Sequence, residues 1–181
     1  MPKEQILLHA CCATCAGYAL EKLAKDFSPI LYFYNPNIHP EEEYLLRLKE
    51  LRDYAQTQSI PFFEEVYDPE NWHLEIKGLE KEPEKGLRCN RCFKLRLQKT
   101  ATWARENNIP FFTTTLTISP HKNSKAIIEI GTEIGKDYKV EFLPENFKKQ
   151  DGFQKTMAIA KRMNFYRQNY CGCIYSVRGK S

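Results

Sequence analysis

Seven cysteines carry most of the chemistry this sequence can do. They fall in three windows, Cys11-Cys12-Ala13-Thr14-Cys15, Cys89-Asn90-Arg91-Cys92 and Cys171-Gly172-Cys173. Clustering this tight is not the scatter of small buried hydrophobes that isolated cysteines give. Sulfurs three apart at a helix start point the same way, and the helix dipole with Arg88 and Arg91 is expected to lower the thiol pKa of Cys89 and Cys92. Soft thiolates select zinc or an iron-sulfur cluster, and four complete either site. A structural zinc site leaves three cysteines over, and that surplus favours redox work. Cys11, Cys12, Cys89 and Cys92 are assigned to an iron-sulfur cluster. Cys171 and Cys173 flank a glycine that permits tight turning, so they close a redox-active disulfide or hold a second metal ion. The role of Cys15 stays open.

The elements that must position these sulfurs follow from composition and periodicity. A chain of 181 residues, 42% hydrophobic and 28% charged, fits one globular domain that builds its core without disulfide staples. An odd cysteine count also argues against a disulfide framework. No apolar run reaches the length of a membrane span. The apolar N-terminal stretch is too short for a signal peptide and contains His9, so a cytoplasmic, reducing location is expected.

Apolar runs at residues 5–12, 30–35, 61–66, 110–118 and 139–143 predict five strands. Amphipathic stretches predict helices over residues 14–25, from Pro40 through Ala55, from Asp68-Pro69-Glu70 onward, and over residues 90–106, 123–136 and 152–164. Residues 80–88 read as an exposed loop. The alternation gives an α/β fold, a mainly parallel five-stranded sheet flanked by helices, with residues 147–181 as a basic, aromatic, cysteine-bearing C-terminal segment packed on it. Ligands collect at the carboxyl ends of such strands. That edge gathers Cys11, Cys12, Asn35, Asn37, Asp68 and the residues from Thr117 to His121.

Residues 147–181 hold eight Lys/Arg and one acid, Asp151, within a chain of net charge +4. Phe147, Phe153, Phe165, Tyr166, Tyr170 and Tyr175 are interleaved with them. A second basic stretch runs through Arg88, Arg91, Lys94, Arg96, Lys99 and Arg105. Such mixtures suit a backbone-plus-stacking nucleic-acid surface, and a solvated helix face over aromatic core residues accounts for them equally well. No glycine-rich loop follows the first strand, since Gly17 is the only glycine before Gly78. ATP or NAD binding through the usual loops is therefore not expected. The loop Ser119-Pro120-His121-Lys122-Asn123 positions a substrate or caps a helix. Asp68 reads first as an N-cap before Pro69, with a carboxylate facing the cysteine edge as the functional alternative. His9, inside a strand, reads as a satisfied core group. From these residues alone the protein is a cysteine-metal redox protein acting on RNA.

The Cys-Cys-x-x-Cys, Tyr-Phe-Tyr-Asn-Pro-Asn-Ile, Cys-x-x-Cys, Thr-Thr-Thr-Leu-Thr-x-Ser-Pro-His-Lys-Asn and Tyr-Arg-Gln-x-Tyr-Cys-Gly-Cys segments together resemble the QueH type of epoxyqueuosine reductase, over about residues 5 to 176. The resemblance implies a fold related to adenine-nucleotide α-hydrolase and tRNA-thiolation domains, with cysteines in place of a phosphate loop. It implies reductive removal of the epoxide oxygen from epoxyqueuosine at the tRNA wobble position, fed by an external electron donor. It also implies an iron-sulfur cluster, of the 4Fe-4S type, on Cys11, Cys12, Cys89 and Cys92. In the expected scheme Cys171 and Cys173 relay reducing equivalents, and a metal or protonated group near Asp68 and His121 takes the oxygen. Thr14 stands where relatives often carry proline, a departure expected to matter little. The alternatives are a tRNA-thiolation-like sulfur transferase, which lacks its ATP loop here, and a zinc-binding RNA module.

Overall fold

The computed structural model describes residues 2–177; Arg178 and Lys180 of the basic C-terminal segment lie outside the described residues. Five strands, β1 (Gln5–His9), β2 (Ser28–Phe33), β3 (Phe62–Glu64), β4 (Phe111–Thr114) and β5 (Glu141–Phe142), form one sheet in the order β3-β2-β1-β4-β5. Every pairing is parallel. Six helices connect and cover them: α1 (Ala13–Leu23), α2 (Glu41–Thr57), α3 (Pro69–Glu75), α4 (Leu87–Glu106), α5 (Ser124–Tyr138) and α6 (Gly152–Arg162).

Side chains alternate across a strand, so a buried central strand feeds two cores. On β1, Ile6 and Leu8 join one cluster with Ala16, Leu20 and Leu23 of α1 and Leu48, Leu51 and Ala55 of α2. Leu7 points the other way, into a cluster with Phe93, Leu97 and Ala101 of α4 and Ile127 and Ile134 of α5. Both faces are therefore covered, as a parallel sheet requires.

The strands end sooner than their apolar runs suggest, for local reasons. β1 stops at His9 because Cys12 is the N-cap of α1, its sulfur accepting the Cys15 backbone N–H at 3.4 Å. β4 stops at Thr114, whose hydroxyl accepts the Leu116 N–H and turns Thr115–Ile118 into a 3₁₀ segment. α4 begins three residues earlier than expected. The Glu82 carboxylate accepts the Leu87 N–H, and the buried Arg88 guanidinium donates to the carbonyls of Leu79, Glu80 and Glu82. Cys89 consequently lies in the first turn of α4.

α6 sits against α1 with no space to spare. A Cβ on Gly17 would come within 2.7 Å of Ile159, and one on Gly152 within 1.7 Å of the Phe147 carbonyl oxygen. The second contact is with backbone, which a side-chain rotation cannot relieve. Gly152→Ala is expected to destabilise the fold by about 3 kcal/mol, read as a lower urea midpoint; an unchanged midpoint would show that the turn into α6 yields freely.

Candidate metal and redox site

β1, β2 and β4 deliver their carboxyl ends to one edge, and the cysteines gather there. Sγ of Cys11, Cys12 and Cys15 lie within 4.8 Å of one another, the only such set of three or more metal-ligating groups among the described residues. Cys12 also accepts from the Gln168 side-chain amide at 3.1 Å. Hydrogen bonds from Cys12 and then Cys15 hold the Cys11 thiol well below its usual range, with help from Lys122 and Arg96. The same contacts, with burial, push Cys12 up to about 12 and Cys15 well above the ordinary thiol value. Within the triad Cys11 is thus the thiol most ready to ionise.

Cys89, Cys92, Cys171 and Cys173 line a second, narrow cavity of about 30 Å³. Cys11, Cys15 and Cys171 line a larger cleft of about 360 Å³ beside it. Glu84, His121, Lys122, Cys171 and Ser176 belong to both walls. Of the expected site residues, Cys11, Cys89, Cys92, Cys171, Cys173 and His121 therefore border one continuous region, and Cys12 lies behind it in the triad. Asp68 does not join them. Its carboxylate accepts the Asn71 N–H at 3.2 Å as the N-cap of α3, and it lines a separate groove with Tyr34, Glu65 and Lys99. Pro69 at the first helical position makes that cap the natural use of Asp68.

The expected lowering of the α4 thiols does not occur. Burial pushes both Cys89 and Cys92 up, and outweighs the cations nearby. Arg88 turns one Nη to the carbonyls of Leu79, Glu80 and Glu82, and Arg91 reaches Glu75 at 3.5 Å. The basic run on α4 is not one exposed stripe: Arg88 and Arg96 are buried, and Lys99 pairs with Glu65.

The C-terminal segment is fastened over the site by α2, whose role the sequence reading missed. The guanidinium of Arg47, fully buried, donates to the carbonyls of Cys171 at 3.2 Å and Tyr170 at 3.3 Å while pairing with Glu43. Burial opposes its charge, yet the fields of Cys12 and Cys11 and the bond to Glu43 hold it above its ordinary value. Tyr166 donates through its hydroxyl to Glu43 and through its N–H to Glu50, and its carbonyl accepts from the Thr14 hydroxyl. Thr14 therefore ties α1 to the tail through a bond that proline cannot make. Gly172 adopts φ +108°, and a Cβ there would come within 2.8 Å of Ile38; only glycine fits between the two sulfurs. Within the turn, hydrogen bonding from Cys173 holds Cys171 well below the usual thiol range and pushes Cys173 up. Phe147 is core, whereas Phe153 and Tyr175 remain partly exposed. A spacing signal for Arg47 did exist, because it shares the helical face of Tyr44, Leu48 and Leu51.

His9 is the satisfied core group its strand position predicts. Its Nε2 donates to the Tyr34 carbonyl at 3.1 Å, so Nδ1 accepts from the Thr114 hydroxyl at 2.9 Å. Burial, then Arg96, lower its pKa to about 3.

The fold and the thiol-lined edge define a class: a cysteine-bearing α/β protein with a five-stranded parallel sheet covered by helices on both faces. Two solved structures share that fold. One is a predicted subunit of a tRNA methyltransferase from Methanocaldococcus jannaschii, with TM-score 0.61, 11% identity, and 87% of this chain and 74% of that one covered. The other is the U34-tRNA thiolase NcsA from Methanococcus maripaludis with its [4Fe-4S] cluster, with TM-score 0.57, 12% identity, and 98% and 63% covered. The family model for epoxyqueuosine reductase QueH matches residues 6–179. Relatives of that name include those of Histophilus somni, 44% identical with 97% of this chain and 73% of the relative covered, and Acinetobacter baylyi, 42% identical with 97% and 81% covered. The relative from Thermotoga maritima is 35% identical, with 95% and 90% covered. The chain belongs to the epoxyqueuosine reductase QueH family of oxidoreductases.

Because His9 takes a proton in the unfolded chain near pH 6.5 but in the folded chain only near pH 3, its contribution to stability is complete above pH 6.5. It is lost progressively as pH falls toward 3. Between pH 7 and pH 5 this amounts to about 2 kcal/mol. Urea titrations at the two pH values should show that loss in the wild type and a clearly smaller one in His9→Asn; equal losses would place the acid sensitivity elsewhere.

Proposed function

We propose that this chain removes the epoxide oxygen of epoxyqueuosine at the tRNA wobble position, and that the observation carrying this reading is the placement of the Cys171–Cys173 turn between two thiol sets on one cleft. The reaction consumes two electrons and two protons, breaks both carbon–oxygen bonds of the epoxide, releases the oxygen as water and leaves the cyclopentene double bond. Cys171 and Cys173 supply that balance when their two thiols become a disulfide, and an external donor restores them. The lowered Cys171 and raised Cys173 thiols suit a pair that starts with one sulfur anionic. His121, which lines both cavities, protonates the departing oxygen in this reading. The nucleoside enters the larger cleft, where the partly exposed Phe153 offers a stacking face.

A soft, all-sulfur donor set fits an iron-sulfur cluster of the 4Fe-4S type, held by Cys11, Cys12, Cys89 and Cys92. In support, Cys11, Cys12 and Cys89 pack on the same apolar cluster. When bound, such a cluster supplies one-electron transfer and a Lewis-acidic iron. The 4.8 Å grouping of Cys11, Cys12 and Cys15 favours a second ligand set, in which Cys15 replaces one α4 cysteine. Seven free thiols suit a reducing, cytoplasmic setting. No helix of the described residues is long and apolar enough to cross a membrane.

Protein purified without oxygen is expected to be brown and to contain iron and sulfide. Cys92→Ala should lose iron and reduce turnover by more than the roughly 10–100-fold that loss of a supporting residue costs, while Cys15→Ala keeps most of its iron. The reverse result would select the triad as the ligand set, and full turnover in both variants would remove the cluster from the reaction. For the substrate, tRNA affinity should fall roughly 100-fold between 50 and 200 mM salt, as about four phosphate contacts give; affinity indifferent to salt would eliminate Lys148, Lys149, Lys155, Lys161 and Arg167 as a phosphate-binding surface.

A further inference from the structure

Arg96 is a cation in the wrong place for an ordinary ion pair. It is 2% exposed, and among the described residues no carboxylate lies within 4.0 Å of its guanidinium. One Nη donates to the neutral Oδ1 of Asn35, the other approaches Cys92 Sγ at 4.0 Å, and Nε has no partner. A buried charge without a counter-charge costs several kcal/mol, so the fold keeps this one for something negative.

A second orphan donor lies beside the same sulfur. Trp72 is fully buried, its indole N–H has no hydrogen-bond partner, and it lines the narrow cavity together with Cys92 and Arg96. Trp72 and Cys92 share one small buried cluster with Cys173. Arg96 is one helical turn beyond Cys92 on α4, and Asn35, which orients it, is itself anchored by donating to the Ala10 carbonyl at 3.0 Å. Two donors from different elements, Arg96 Nε and the Trp72 indole N–H, are therefore buried beside one sulfur with no partner of their own.

We infer that Arg96 and Trp72 are positioning residues that hold negative charge on the Cys92 sulfur and thereby favour the reduced form of the centre it belongs to. Donors to a ligating sulfur stabilise the more negative redox state. The inference rests on the proposed ligand role of Cys92, and two measurements separate the failure of each.

In reconstituted protein the ratio of reduced to oxidised centre at a fixed potential should fall about tenfold in Arg96→Gln, a drop of about 59 mV for one electron. Arg96→Lys should recover part of it, and Trp72→Phe should show a loss of about threefold, the size of one neutral hydrogen bond. An unchanged ratio in Arg96→Gln with full iron overturns the inference. In metal-free protein, iodoacetamide labelling of Cys92 followed by peptide mass spectrometry should be about threefold slower in Arg96→Gln than in wild type, with the Cys89 rate as control and restoration in Arg96→Lys. Equal Cys92 rates overturn it without any metal present. Wild-type protein that binds no iron, with the labelling difference intact, instead defeats the cluster reading and leaves the sulfur cradle standing.

Discussion

Negative charge on buried sulfur requires positive charge buried with it. Water cannot supply the compensation beneath a protein surface, so the fold supplies it from side chains brought in on rigid elements. Arg47 on α2 and Arg96 on α4 enter from opposite faces of the sheet, and Lys122 comes from the loop after β4. Each acts on the sulfur atoms at the carboxyl edge. Much of the local architecture serves these placements: Asn35 orients Arg96, Glu43 orients Arg47, and Arg47 in turn fixes the turn that carries Cys171.

The parallel sheet makes such convergence possible. With β1 in the centre and β2 and β4 beside it, three carboxyl ends open on one edge. The first of these runs directly into a helix capped by a cysteine. Where nucleotide-binding α/β proteins use glycine backbone at that junction to approach phosphate, this chain uses thiols. The change replaces an anion-binding cradle with a set of soft sulfur donors at the same junction. The tail then closes the remaining side, bonded to α1 through Thr14, to α2 through Glu43, Arg47 and Glu50, and to the loop after β2 through His39, whose N–H donates to the Gly172 carbonyl.

Much of this was legible in the residues. Apolar runs and period-3.6 patterns located five strands and six helices, since burial of both sheet faces leaves continuous apolar segments. The three cysteine windows marked the site, and the missing glycines excluded a phosphate loop. Element ends were less legible, because they depend on side chains reaching back to the backbone: Thr114 to Leu116, Glu82 to Leu87, Cys12 to Cys15. Asp68 illustrates the ambiguity of a single acidic residue, where capping and chemistry call for the same side chain and only location decides.

Sequence alone determined the supply of chemistry: seven thiols, a basic aromatic tail, and a parallel α/β order that sends ligands to one edge. It did so because residue type and periodicity are local properties. Which sulfurs meet, which thiols are driven up by burial and which are held low were decided only by tertiary structure. So was the division of the α4 cations into buried and paired groups. Those outcomes depend on distances between segments far apart in the chain and on exclusion of water, and neither is written in any local stretch of residues.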